Sequence, residues 1–420
     1  MAAPGTFPVP FGRGRWRLSL HSRAYVTALT LNSLEIAEIF GARSIRLEQA
    51  LNASTTLTFT VDGNSPEAQE VLELSTDVVA WRWDDQTGKD VPVFRGIVAQ
   101  SQDTLSEQAY SVNFTCHDYL AMLERRILTA PLNYNNNDQD DIVQFLITYG
   151  VKQARTSSGA NLTPGNYLSI SPLNVDASGA TRAKSGQMRQ RNYAAQQSVG
   201  EAIENLGAVA NGFDFDVAPA ERAGNVGWGD DQLRIFYPYQ GTLRTSIVLE
   251  YGSSVSALTR SVNSGDYANY WRIVGNNGSS DPAAAQLYAE AWNSDANNVT
   301  VAPQGLWMSG DNQSDVSILA TLQETANGNL AISGSLLPSY SIALRPGWYA
   351  WGVPNMGDVV TLRIKRGRLN VNTQVRVVGI TYDVGEDGQE DVTLALGSPA
   401  ETFAQLLTKQ TRDINALARR

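Results

Sequence analysis

Along the first hundred residues the chain alternates. In "RLSLH" (17–21), "SIRLEQ" (44–49), "TLTFTV" (56–61) and "VVAWRW" (78–83) every second position is apolar. That period predicts half-buried strands, with one face on a core and one in solvent. The polar "DDQTGKD" (84–90), with its glycine, predicts a hairpin between two such runs. Helical spacing is rarer. Ser198 and Glu201 form a capping box, after which Val199, Ile203, Leu206 and Ala210 recur at helical spacing as far as Gly212. "FDFDV" (213–217) alternates immediately afterwards and is predicted to pair with "LRIFYP" (233–238). Asp140 or Asp141 is expected to cap a short helix carrying Ile142, Leu146 and Ile147, ended by Gly150. Asp281-Pro282 is expected to open an alanine-rich helix near 283–292, and further helices are expected around 316–329 and after Ser398. Residues 152–196 hold few large apolar groups and read as a long exposed excursion.

The strand pattern repeats. "DVVAWRWDDQTGKDVPVFRGIV" (77–98) resembles "DVVTLRIKRGRLNVNTQVRVVGIT" (358–381), which aligns Gly96-Ile97 with Gly379-Ile380. The match runs on from "YSVNFTCHDYLAML" (110–123) to "DVTLALGSPAETFAQLL" (391–407), and upstream residues 45–63 resemble 255–276. The fold class this predicts is β-rich α+β and multidomain, with two similar small β-barrels and α+β insertions. Its parts are an N-terminal arm and first strand (1–29), a first barrel (30–130) and an α+β insertion (131–240) containing the excursion. A second barrel is split into 241–275 and 342–397 by a helical and loop insertion (276–341), and a C-terminal helix (398–420) ends the chain. Two similar modules in one chain can serve as two units of a ring, so three chains would present six near-equivalent barrels.

Composition narrows the chemistry. The 420 residues are 42% apolar and 18% charged, enough to fill several cores. One cysteine cannot form an intrachain disulfide, and two histidines cannot complete a Cys/His zinc framework. No metal or cofactor is expected. No signal peptide and no membrane span of ~20 apolar residues is expected, so the chain reads as a soluble protein made in a cytoplasm. A net charge of −10 argues against tight, sequence-independent binding to duplex DNA.

The order of elements resembles the baseplate hub proteins of bacteriophage tails, which are related to the hub portion of type VI secretion spikes. The resemblance is carried by "VFRGIVAQSQD" (93–103), the capped helix with "FDFDV" (198–217), "DYANYWRIVGN" (266–276) and "GDVVTLRI…VRVVGITYD" (357–383). It implies a homotrimer at the distal end of a phage tail. Such a trimer joins the hexameric distal tail protein to downstream tip or fibre proteins and surrounds the C-terminal end of the tape measure protein. DNA passes through its lumen without specific binding.

Residues with catalytic potential have simpler readings. Neighbouring side chains on a strand diverge, so Cys116 and His117 cannot share a proton, and Asp118 reads as a helix cap. Asp214 and Asp216 share a strand face at roughly 6–7 Å, a spacing that overlaps an inverting glycosidase pair. A cell-wall hydrolase is therefore the enzymatic alternative, against the solvated face of a strand. Trp348, Tyr349 and Trp351 would suit a receptor-binding tip if exposed, and read otherwise as core or interface anchors. "DVGEDGQED" (383–391) has the carboxylates of a calcium loop but the shape of a hairpin turn, and "FGRGRW" (11–16) lacks the third glycine of a phosphate loop. The basic "RIKRGR" (363–368) is expected on a hairpin facing an acidic neighbouring subunit. The expected set of catalytic, cofactor-binding and metal residues is empty.

Overall fold

The computed structural model describes residues 15–22, 34–39, 41–152, 170–207, 211–219, 231–265, 267–276, 286–293, 305–313, 319–334, 338–348 and 351–397. They divide into two compact units, one of residues up to 258 together with 341–397, the other within 259–340. The first unit opens with β1 (Trp16–Ser22), β2 (Leu34–Ile39), β3 (Ser44–Ala50), β4 (Thr56–Asp62), a short helix α1 (Pro66–Gln69), β5 (Thr76–Asp84), β6 (Lys89–Leu105) and β7 (Tyr110–His117). The alternation sets their faces: Leu57, Phe59 and Val61 of β4 are buried opposite Cys116, Phe114 and Val112 of β7, while the threonines between them face outward. The strands pair in the order β3-β4-β7-β6-β5-β1-β2.

An α+β insertion follows: α2 (Tyr119–Glu124), β8 (Leu132–Asp138), α3 (Gln139–Lys152), β9 (Ile170–Val175), β10 (Met188–Tyr193), α4 (Val199–Gly207), β11 (Asp214–Ala218) and β12 (Asp231–Phe236). The apolar faces of the three helices meet the sheet β11-β12-β9 in one core, with Leu123, Ile142, Leu146, Ile203, Phe215 and Ile235 all buried. β11 pairs β12 as the alternation predicts. The helix starts two residues or more earlier than expected, since Asp138, not Asp140 or Asp141, accepts the Asp140 amide at 2.9 Å, and it runs past Gly150 to Lys152. The excursion 152–196 is also not structureless, because β9 and β10 lie within it. β9 is anchored by parallel pairing to β12, a partner distant in sequence that periodicity cannot see.

The chain then enters β13 (Leu243–Glu250) and β14 (Val255–Ser261) before the second unit. There β15 (Tyr270–Gly275), β16 (Tyr288–Trp292) and β17 (Met308–Gln313) form a sheet in the order β16-β15-β17. One face is covered by α5 (Leu319–Ser333) through Trp271, Ile273, Ala289, Ala291, Leu322 and Ala326. Two expectations are corrected here. Residues 270–275 do not join the second strand set but centre this small sheet, and residues 288–292 of the expected alanine-rich helix are a strand paired to β15. Alternating buried alanines at 289 and 291 fit under α5, so packing overrides alanine's helix propensity. The helix expected around 316–329 is α5; the C-terminal helix from Ser398 lies outside the described residues.

β18 (Ser339–Leu344), β19 (Val359–Arg366), β20 (Leu369–Val384) and β21 (Glu390–Gly397) complete a second set in the order β14-β18-β21-β20-β19-β13. The run β14-β18-β21-β20-β19 repeats β3-β4-β7-β6-β5 strand for strand. The register is marked by a β-bulge in each long strand: β6 slips against β7 between Val98 and Gln100, and β20 slips against β21 between Val377 and Gly379. Anchored on the bulge, Cys116 matches Leu396 and His117 matches Gly397, as the sequence alignment of these strands has it. In the long strands the alignment is corrected by four residues. Gln100, not Gly96, matches Gly379, because Gly-Ile is a short motif and the bulge leaves no signature in sequence. Among the described residues the traced pairing of the whole sheet is open, running from β14 to β2, and no helix is long and apolar enough to cross a membrane.

Candidate functional site

The two strand sets join edge to edge. β20 pairs β3 antiparallel, from Gly379 opposite Ala50 to Val384 opposite Ile45, so one sheet runs through both. Arg46 on β3 donates to both oxygens of Asp383 at 2.9 and 2.8 Å across this seam. At one end the seam is closed by a buried cluster. Arg82 of β5 lies on the same face as Val78 and Ala80, and holds Glu390 with two hydrogen bonds, 2.9 and 3.0 Å. Trp16 donates to the same carboxylate at 2.5 Å. Trp351 stacks its ring 4.5 Å from the Arg82 guanidinium and 5.1 Å from Tyr382. A guanidinium 1% exposed is stabilised here by a bidentate carboxylate and an aromatic face.

The insertion is bolted to both sets by buried arginines. Arg95 of β6 bonds Asp77 at 3.3 Å and Asp231, the first residue of β12, at 3.2 Å, and Tyr119 donates to Asp77 at 2.6 Å. Arg376 of β20 bonds Asp214, the first residue of β11, and the Gln240 carbonyl at 2.8 Å. Asp214 also accepts from Asn52 Nδ2 at 3.0 Å and from the Gln240 amide at 2.8 Å. Asn52 sits in the turn after β3 with φ of 59°, a conformation asparagine tolerates, and so reaches β11, whose Phe215 amide donates to it at 2.6 Å. Asp214 is therefore where first set, insertion and second set meet. Close by, Gly241 and Gly357, both at positive φ, lie back to back: a Cβ on Gly241 would stand 2.1 Å from the Gly357 carbonyl carbon.

The residues singled out by sequence fall into place around this junction. Cys116 is fully buried, and burial pushes its thiol well above the usual range. Burial lowers the pKa of His117, which contacts Thr56 Oγ1 through Nδ1 at 3.2 Å. Asp118 caps α2, accepting from Leu120 at 3.1 Å and from Thr55 at 2.8 Å; burial raises it to about 6. His21 is bonded to Ser19 on β1, with β5 and β6 between it and the β7 strand of Cys116, and burial lowers it to about 4. Asp214 and Asp216 do face one side, yet Asp214 accepts from Arg376 and Asp216 from Arg234 at 2.7 and 2.6 Å. Each carboxylate is thus occupied by an arginine, and Gln240 bridges the two through its amide to Asp214 at 2.8 Å and its side chain to Asp216 at 2.7 Å, so the pair is built into the junction rather than set to flank a substrate. Trp351 is an anchor of the seam, Tyr349 lies outside the described residues, and Trp348 is partly exposed. Other exposed aromatics among the described residues include Trp292 and Tyr288 on β16, Trp307, Tyr239 and Phe145.

Residues 385–389 form a tight turn, with Gly388 at φ of 73° and Asp387 accepting the Gln389 amide at 3.0 Å. No cluster of three or more His, Cys, Asp or Glu groups that could hold a metal ion occurs among the described residues. Arg363, Lys365, Arg366 and Arg368 are exposed on the β19–β20 hairpin, whereas the matching β5–β6 hairpin presents one charge of each sign, Asp85 and Lys89. Only residues 15 and 16 of "FGRGRW" are described, as the start of β1. Sequence reasoning missed Arg82, Arg95, Arg376 and Glu390. The available signal was a charge on the apolar face of an alternating strand, as at Arg82, which demands a buried partner.

No protein-family model and no curated protein matches the sequence. Solved structures do match the fold. A tail protein from Neisseria meningitidis MC58 is 10% identical with a TM-score of 0.53, over 91% of this chain and 97% of that one. The prophage MuSo2 43 kDa tail protein from Shewanella oneidensis is 10% identical with a TM-score of 0.54, over 91% and 98%. Prophage tail protein gp18 from Listeria monocytogenes EGD-e is 9% identical with a TM-score of 0.52, over 95% and 99%. The fold is that of bacteriophage tail proteins. It spans nearly the whole length of both partners in each comparison.

Proposed function

We propose that the protein is the structural, non-catalytic hub of a phage tail tip, at the distal end of the tail. Three chains form a ring in which six strand sets stand in near-equivalent positions and match a hexameric distal tail protein. The ring surrounds the end of the tape measure protein and carries the downstream tip proteins on its other face. One observation carries this reading: a single chain holds the same five-strand order twice, joined edge to edge. Doubling within the chain lets threefold symmetry present a sixfold surface. The net charge of −10 suits a lumen through which DNA slides rather than sticks. The basic β19–β20 hairpin then faces an acidic surface of an adjoining subunit. The test is native mass spectrometry of the chain alone and with a distal tail protein, followed by imaging of tail tips. Trimers on a sixfold ring are expected. A chain that stays monomeric or dimeric with its tail partner present would overturn the reading, and a basic lumen would overturn its electrostatic part.

A further inference from the structure

Within the chain, β3 covers one edge of β20 from Gly379 to Val384. Strand order makes β14 the counterpart of β3, and the bulge register makes residues 100–105 of β6 the counterpart of 379–384. Among the described residues both counterparts are bare. In β20, Gly379, Ile380, Tyr382 and Val384 are buried; in β6, Gln100, Gln102, Asp103, Thr104 and Leu105 are exposed, Leu105 by 78%. In β3, Ile45 and Leu47 are buried; along β14, Ser256, Ala257, Thr259 and Arg260 are exposed. β5 accompanies β6 only as far as Ile97, beyond which β6 is paired with β7 alone among the described residues. β14 ends the traced order of the sheet.

A bare edge presents a row of unpaired amides and carbonyls, a template for another strand. Here each bare edge has a twin that is covered, and the cover of one twin is the other bare edge's own counterpart. We propose that the edge of β14 in one chain pairs antiparallel with residues 100–105 of β6 in a second copy of this chain. The contact repeats between chains the β3–β20 junction made inside each. It is heterologous, since different surfaces meet, and a heterologous contact closes into a ring when its rotation divides a full turn. The proposal rests on the hub reading and goes beyond it by naming the strands that join.

Amide hydrogen exchange of the full chain, read by mass spectrometry across a dilution series that spans association, tests it. Exchange in peptides covering 255–261 and 100–105 is expected to slow by roughly tenfold or more on association, as for amides newly held in a ladder. Peptides covering 379–384, protected within each chain, are expected to change little. Trimers with neither bare segment protected would overturn the pairing and leave the hub reading intact. A chain that stays monomeric throughout and with a distal tail protein added, with both segments exchanging fast, would overturn both.

Discussion

In the first strand set, the arginine that reaches the insertion is Arg95, held by Asp77 of its own sheet as well as by Asp231 of β12. In the second it is Arg376, which takes Asp214 of β11 and the backbone carbonyls of Gln240 and Gly357. Both guanidiniums are almost fully buried. The difference is where neutralisation comes from. Arg95 keeps a carboxylate if the insertion partner is lost, whereas Arg376 depends on the insertion for its charge partner. Asp214→Ala is therefore expected to cost about 3–5 kcal/mol, the usual result of stranding a buried charge. Asp231→Ala is expected to cost clearly less, about 1–3 kcal/mol, because Asp77 remains. Urea unfolding of the two variants measures the contrast, and equal losses would break it.

The seam offers the next test. Glu390 ties Arg82 and Trp16 of the first set to the start of β21. Glu390→Gln keeps the shape and removes the charge, so that a buried guanidinium, which also donates to the Trp83 carbonyl at 2.6 Å, loses its carboxylate. A loss of about 2–3 kcal/mol is expected. Arg82→Met with Glu390→Gln should recover part of that loss, since a buried pair replaced as a pair costs little; a double variant worse than the single would contradict this account.

Much of this architecture is legible in the sequence because it rests on local period. The alternation in 56–61 and 78–83 marks β4 and β5, and the spacing from Val199 to Leu206 marks α4. The doubling is legible too, through Asp-Val-Val and the order of strands. What the sequence hides is pairing at a distance. Nothing near residues 170–175 announces β12 as a parallel partner, and nothing near Arg376 announces Asp214, 162 positions away. "TCHD" shows the same limit in reverse: adjacency in sequence suggested a catalytic cluster, and the strand separates its members. Leu396 and Gly397 fill the matching places in the second set, so the positions serve the strand rather than any chemistry.

The insertion also contains charge that no arginine balances so directly. Glu204 of α4 is half-buried, and burial, with Glu124 and Glu201 nearby, raises it to about 7. The sign follows from comparing states. Between its ordinary value near 4.5 and the raised one, folded Glu204 holds a proton that the unfolded chain has released, so stability falls as pH rises through 7. Glu204→Gln is expected to melt a few degrees higher than the parent at pH 8 (about 1 kcal/mol, discounted for partial exposure) and within about a degree at pH 5. Thermal melts at the two pH values check this; a difference independent of pH would assign the effect to packing instead.

The smallest effect is expected where the seam is most visible. Arg46 and Asp383 form a bidentate ion pair across β3 and β20, but both side chains are nearly half exposed. Arg46 also bonds Glu48 on its own strand at 2.6 Å, so removing Asp383 leaves the guanidinium with a partner. Water screens such a pair, and Asp383→Asn is expected to cost less than about 1 kcal/mol, an effect that fades in ~1 M salt as the screening length shrinks to ~3 Å. The backbone ladder and the buried side chains beneath it, Leu47 and Tyr382, then carry the seam. A loss above about 2 kcal/mol in low-salt urea titrations would reverse that order and make the exposed pair, rather than the buried face, what distinguishes the covered edge from the bare one.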